Sequence, residues 1–250
     1  MKYALLFGIN YTRSPQARLR GCINDVNNMA EYLREDLKYN NVKVYTDENN
    51  IHETGIQNII HKIYKLAILS HRQKINQVYL HFSGHGTSTF DKNRDEKDGK
   101  DEAFVPSDYQ RRGVISDDLF KRIFKIFNEN TKVICIFDCC HSGTIADLKY
   151  KWVSEDRKSI ENNDRPCRSN IITISGCRDN QTSADAYNVM HEYTFTGALS
   201  SCLLMTLKEN QNDTIFEIVD KTRNLLQSKR FSQKPELCSS YIIDPDEKLF

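Results

Sequence analysis

A chain of 250 residues with 39% apolar and 28% charged side chains has the composition of a soluble globule and fits one ordinary domain. Its formal net charge of +1, with no basic stripe, excludes the electrostatic footprint of a nucleic-acid binder or a membrane-surface protein. The opening apolar run, Met1 to Gly8, is too short for a secretory signal, no transmembrane segment follows, and cysteines such as Cys135 and Cys202 sit in apolar surroundings; the expectation is reduced thiols in a cytoplasmic protein.

Short β-branched runs predict strands at Lys2 to Ile9, Asn41 to Thr46, Gln77 to Phe82, Thr131 to Phe137, Asn170 to Ser175 and Ser239 to Ile243. Amphipathic stretches between them predict helices at Cys22 to Tyr39, Gly55 to His71, Asp117 to Asn128, Thr194 to Lys208 and Asp213 to Gln227. Strand and helix in alternation predict an α/β fold, a mostly parallel sheet covered on both faces, with ligands beyond the carboxyl ends of the strands. Two polar segments interrupt the pattern and read as loops: the charge-dense 87–100 and the longer 149–168. No internal repeat is present.

Two of the predicted strands end in chemically active residues. Gln77 to Phe82 runs into Ser83-Gly84-His85-Gly86, and Thr131 to Phe137 runs into Asp138-Cys139-Cys140-His141-Ser142-Gly143-Thr144. A thiol needs a proton acceptor to become a nucleophile at neutral pH, and an imidazole at the same end of the sheet supplies one. Glycines on both sides of His85 leave its ring open to approach. A histidine alone at a strand end would more simply be a turn residue, and Cys139, on the opposite side from Cys140 by alternation, reads as a buried structural thiol. His141 is a poor rival base, since neighbouring side chains on extended backbone point apart. The spacing from His85 to Cys140 is of the kind found in caspases, although the sequence around the cysteine is not the caspase one.

The motifs SGHG, DEAFVPSDY (Asp101 to Tyr109) and DCCHSG, with Leu19 to Asp25 before them and Ser175 to Asp185 after, resemble those of the metacaspases in order and over almost the whole chain. The resemblance implies a caspase-like three-layer sandwich: a large-subunit-like region over 1–148, a linker loop over 149–169 and a small-subunit-like region over 170–250. It implies a cysteine endopeptidase that acts on proteins or peptides with Arg or Lys at P1. His85 and Cys140 would form the dyad, the N–H groups of Gly86 and Cys140 the oxyanion hole, and Cys22, Asp25, Ser83 and Asp138 the P1 pocket. Asp101, Asp117, Asp118 and Asp147 fall at positions resembling the family's calcium ligands, so Ca²⁺ is the expected activator. A monomer is expected, with no nucleic-acid or membrane partner.

Simpler readings stand beside these. Asp25 could cap a helix, Asp138 could merely end a strand, and Ser116, Asp117 and Asp118 are good helix-start residues. The series Asp91, Asn93, Asp95 and Glu102 imitates a calcium loop but has Glu96 where the turn needs glycine. A zinc site drawn from His81, His85, Cys139, Cys140 and His141 would be split between two faces of a strand. The chain looks like a compact, leaderless, type I-like member, and the basic residues Lys149, Lys151, Arg157, Lys158, Arg165 and Arg168 suggest self-cleavage in the linker. The alternative is a catalytically idle scaffold of the same fold.

Overall fold

The computed structural model describes residues 1–48, 50–90, 100–139, 148–153, 158–161, 167–176, 185–187 and 195–250. The first elements are β1 (Lys2–Gly8), α1 (Cys22–Glu35), β2 (Asn41–Thr46), α2 (Ile56–Arg72) and β3 (Gln77–Ser83). Next come β4 (Gly86–Phe90), β5 (Lys100–Phe104), α3 (Tyr109–Arg112), β6 (Ile115–Ser116), α4 (Asp117–Phe124) and β7 (Lys132–Asp138). The rest are β8 (Tyr150–Val153), β9 (Lys158–Glu161), β10 (Asn170–Ser175), β11 (Asp185–Tyr187), β12 (Phe195–Gly197), α5 (Ala198–Glu209), α6 (Ile215–Ser228) and β13 (Glu236–Ser239).

Eight strands form one sheet in the order β2-β1-β3-β7-β10-β13-β8-β9. The first five of that order pair in parallel, and β13, β8 and β9 extend the sheet antiparallel. Each central strand is apolar on both sides because each side is covered. Leu6, Tyr79, Ile134 and Ile136 pack with Met29 and Leu33 of α1, Leu203 of α5 and Phe216 of α6. Phe7, Leu80, Phe82, Cys135 and Phe137 pack on the other face with Ile59 and Ile63 of α2 and Phe120 of α4. Burial on both faces produces continuous apolar runs rather than alternation, which is why these strands are readable in the sequence.

Several boundaries differ from the sequence reading. The first helix stops at Glu35 rather than Tyr39, because Lys38 takes a left-handed φ of 53° and the amides of Leu37 and Tyr39 turn back to the carbonyls of Tyr32 and Leu33. The last strand is Glu236–Ser239 and not Ser239 to Ile243. Beyond Ser239 the chain leaves the ladder and Ile242 stands 67% exposed, so apolar character alone misplaces that strand. It is also an interior strand, between β10 and β8.

The segment 149–169, read as a linker loop, contributes β8 and β9 to the sheet. Tyr150 and Trp152 turn inward at period two, the Trp152 indole donates to Ser239 Oγ at 2.6 Å, and Lys151 faces Glu236 at 2.7 Å. Residues 87–100, also read as a loop, open with β4, which joins β5 and β6 in a small antiparallel sheet; residues 91–99, the greater part of the imitation calcium loop, lie outside the described residues.

One aromatic stack ties the sheet to its helical cover. The Phe82 ring lies 4.9 Å from Phe137 at 6° and 5.3 Å from Phe7 at 14°, with Phe120 edge-on at 5.1 Å. Truncating Phe82 to alanine removes a fully buried ring from this stack. The expected cost is about 3–5 kcal/mol, read as a lowered urea midpoint at unchanged slope.

Candidate active site

The parallel pairing of β3 and β7 ends with Ser83 opposite Asp138, and the Gly84 amide donates to the Asp138 carbonyl at 3.3 Å as the strands part. His85 follows Ser83 by two residues, as Cys140 follows Asp138; Cys140 itself lies outside the described residues. Cys139 is buried among Phe82, Phe137 and their neighbours, the structural place that alternation assigns it.

His85 is held from several directions. Its amide donates to Tyr11 Oη at 2.8 Å, its carbonyl accepts from the Val105 amide at 3.0 Å, and its Nε2 donates to the Ala17 carbonyl at 2.8 Å. A carbonyl can only accept, so Nε2 carries a proton and the neutral ring keeps its lone pair on Nδ1. The Tyr11 ring lies 4.7 Å from the imidazole, tilted by 37°. Its hydroxyl also donates to Val105 O at 2.7 Å, and burial pushes the Tyr11 pKa up, which keeps that hydroxyl a donor. Glycine at 84 is required by this packing, since a Cβ there would meet Tyr11 Oη at 2.9 Å.

The loop that delivers Tyr11 and Ala17 is tied down by buried Asp47. Its carboxylate accepts from the amides of Asn10 and Thr12 at 2.9 and 2.8 Å. Asn10 in turn holds the Cys22 amide at 3.0 Å through its side chain and the Leu19 amide at 3.0 Å through its carbonyl. This support compensates for Tyr11 standing at φ 52°, a conformation costly for a bulky side chain.

Beside Ser83 the structure brings Asp25 and Asp138 together, each only 3% exposed. Asp25 does not cap its own helix, whose N-cap is Gly21. Instead it accepts from Ser83 Oγ at 2.6 Å and from the Gly197 amide at 2.7 Å, while Asp138 accepts from the Ser200 amide at 2.9 Å. Both carboxylates therefore sit at the start of α5, where the first-turn N–H groups and the helix dipole favour negative charge. Cys22, the first residue of α1, is buried in the same region of that helix.

Behind the pair lies a residue with no part in the sequence reading beyond the discounted zinc site. His81 is buried on β3 with Nε2 3.0 Å from Ser200 Oγ, and burial lowers its pKa from 6.5 to about 3.

The four aspartates resembling calcium ligands are only partly described. Asp117 is buried at the start of α4 and accepts from the amides of Glu102 at 2.9 Å and Asp118 at 2.6 Å. Asp118 is half-buried next to it, and Asp101 lies on β5 one residue before Glu102. The side chain of Asp101 and the whole of Asp147 lie outside the described residues. Gly86 opens β4, directly after His85.

Tyr11, Ala17, Asp47, Gly197 and Ser200 were not singled out by sequence reasoning. Backbone carbonyls and amides, such as those of Ala17, Gly197 and Ser200, leave no residue-type signal. A tyrosine just past the first strand, between the polar residues Asn10 and Thr12, was the one available cue.

A family model described as metacaspase, peptidase C14 domain, matches residues 2–149. Metacaspase-3 of Trypanosoma brucei brucei is 34% identical over 265 residues, covering 98% of this chain and 72% of its own. Metacaspase-1B of Neurospora crassa is 31% identical over 292 residues, covering 96% and 67% respectively. A crystal structure of a protein from Geobacter sulfurreducens superposes with a TM-score of 0.68 at 23% identity, over 98% of this chain and 95% of that one, a likeness of fold.

Two measurements follow from the two histidines. In long-range ¹H–¹⁵N spectra the neutral His85 ring should carry its proton on Nε2, and an Nδ1–H tautomer would contradict the bond to Ala17. For His81, the unfolded chain takes up a proton near pH 6.5 while the folded one resists to about pH 3. Stability therefore falls as pH drops through that window, by up to about 1.4 kcal/mol per pH unit from this group. His81→Gln should flatten this part of the acid limb in urea midpoints taken at successive pH values.

Proposed function

The chain belongs to the metacaspase family of cysteine endopeptidases, and from that membership we propose that it cleaves after Arg or Lys with a His85–Cys140 dyad, under calcium control. The observation that carries the P1 reading is the convergence of two buried carboxylates, Asp25 of α1, which accepts from Ser83 two residues before His85, and Asp138, two residues before Cys140 on β7. Two like charges removed from water repel, and a guanidinium or ammonium guest between them offsets both the repulsion and the lost hydration. An acidic P1 residue would meet a third negative charge.

In the reaction, His85 Nδ1 takes the Cys140 thiol proton as the sulfur attacks the scissile carbonyl carbon. The C–N bond then breaks, the leaving amine takes that proton, and a thioester remains. Water, deprotonated by the same nitrogen, hydrolyses the thioester and restores the thiol. The bond from Nε2 to the Ala17 carbonyl supports this assignment, since it orients the ring and stabilises the imidazolium formed midway. The amides of Gly86 and Cys140 are assigned to the oxyanion, where one donor contributes roughly 3 kcal/mol in well-characterised enzymes.

Calcium suits the donor set. Asp101, Asp117 and Asp118 belong to adjoining parts of β5 and α4, and hard carboxylate oxygens are what this ion selects. Asp101, Asp117, Asp118 and Asp147 would hold it, and bound there it would supply charge neutralisation between loops on the dyad side of the sheet. The substrates are proteins or peptides. A monomer agrees with β8 and β9 covering the edge that β13 would otherwise offer.

Self-cleavage belongs to the same reading but to a narrower set of bonds. Lys151 and Lys158 are in paired strands and would have to leave the sheet to enter a cleft, whereas Arg168 is exposed just before β10. Arg157 and Arg165 lie outside the described residues.

The test is kcat/KM on Arg-, Lys- and Asp-terminated peptides across a calcium titration, with intact mass followed in the same samples. Wild type should cleave the basic peptides with rising calcium, and Cys140→Ala should lose at least about 10³-fold. Wild type inert at every calcium concentration would favour a scaffold role, and preference for Asp would overturn the P1 reading. Fragments appearing equally in Cys140→Ala would exclude self-cleavage.

A further inference from the structure

Gly197 is the N-cap of α5, a position where Ser, Thr, Asp and Asn are preferred for the hydrogen bond their side chains make to the first turn. Its backbone gives no reason for glycine: φ −68° and ψ 140° are ordinary extended values open to any residue. The reason lies in the space its side chain would fill. A Cβ at 197 would collide with Asp138 Oδ2 and lie 2.7 Å from Asp25 Oδ2. Neither carboxylate can step aside cheaply. Asp25 is held by Ser83 Oγ and the Gly197 amide, and Asp138 by the Ser200 amide.

We propose that Gly197 is a specificity-determining residue of the protease: because it has no Cβ, the carboxylates of Asp25 and Asp138 can converge against its Cα, and in that position they seat the cationic P1 side chain beside the first turn of α5. This rests on the P1 reading above and adds to it a residue that carries no charge and no functional group. The amides of Gly197 and Ser200 hold the two carboxylates in place, and the bare Cα at 197 lets the oxygens of both approach it closely. A side chain at 197 would drive the two carboxylates from these positions and so dismantle the seat.

The same arrangement separates specificity from general integrity. A lesion in folding lowers turnover of every substrate alike, whereas a lesion in the seat lowers turnover of the cationic P1 residue alone. The measurement is therefore a ratio: kcat/KM for a peptide ending in Arg over kcat/KM for the same peptide ending in Leu, in wild type and Gly197→Ala. The expected result is a fall of about 100-fold in that ratio, carried mainly by KM for the Arg peptide, as when one side of a buried charge pair is lost. An unchanged ratio overturns the proposal, whatever happens to the absolute rates.

A second measurement needs no substitution at 197. In Cys140→Ala protein, agmatine should shift the Gly197 and Ser200 amide resonances, and an uncharged amide of the same length should not. Agmatine that competes with the Arg peptide while leaving both resonances in place overturns the proposal, including where Gly197→Ala fails to fold. Wild type with no preference for Arg over Leu overturns both this inference and the P1 reading; wild-type preference retained in Gly197→Ala overturns this inference alone.

Discussion

Seven consecutive residue pairs, from Gln77 with Lys132 to Ser83 with Asp138, join the two central strands in parallel. A one-residue slip would send every side chain of one strand to the opposite face, and with aromatic and aliphatic layers above and below, neither face tolerates it. The stack of Phe82 on Phe137 marks the correct register on one side, and Tyr79 beside Ile134 and Ile136 marks it on the other. Because the register is set by the core, the ends of the strands are set as well. His85 and Cys140 each follow the matched pair of Ser83 and Asp138 by two residues in the sequence.

In the reading proposed above, the acidic pair is one set of atoms that serves folding and recognition together. A buried helix start exposes amides that need acceptors, and α5 finds them in two side chains from distant parts of the chain, Asp25 of α1 and Asp138 of β7. The carboxylates gain hydrogen bonds that offset their lost hydration, and α5 gains a cap without a capping residue of its own. If the proposed P1 reading holds, a site constructed this way would be part of the fold before substrate arrives, and little would be lost in ordering it when a peptide binds.

His85, the proposed base, is positioned by a similar economy of means. Nothing charged touches the His85 side chain in the contacts described above; a carbonyl, a tyrosine ring and two backbone bonds hold it. A neutral acceptor such as the Ala17 carbonyl orients the ring without adding a full negative charge beside it.

What the amino-acid sequence determined by itself is what short-range pattern can encode. Continuous apolar runs give the parallel strands, because such strands are covered on both faces, and residue types that ionise or attack stand out, His85, Cys140 and Asp138 at the strand ends and Asp25 in the first helix. Tyr150 and Trp152 carried a period-two signal for an added strand that the surrounding lysines and loop residues obscured. Tertiary structure alone decided the rest. The carbonyl of Ala17 and the amides of Gly197 and Ser200 belong to backbone that every residue type shares, and the sequence does not say what approaches a glycine such as Gly197. Their roles arise only when segments about sixty to nearly two hundred positions apart are packed together.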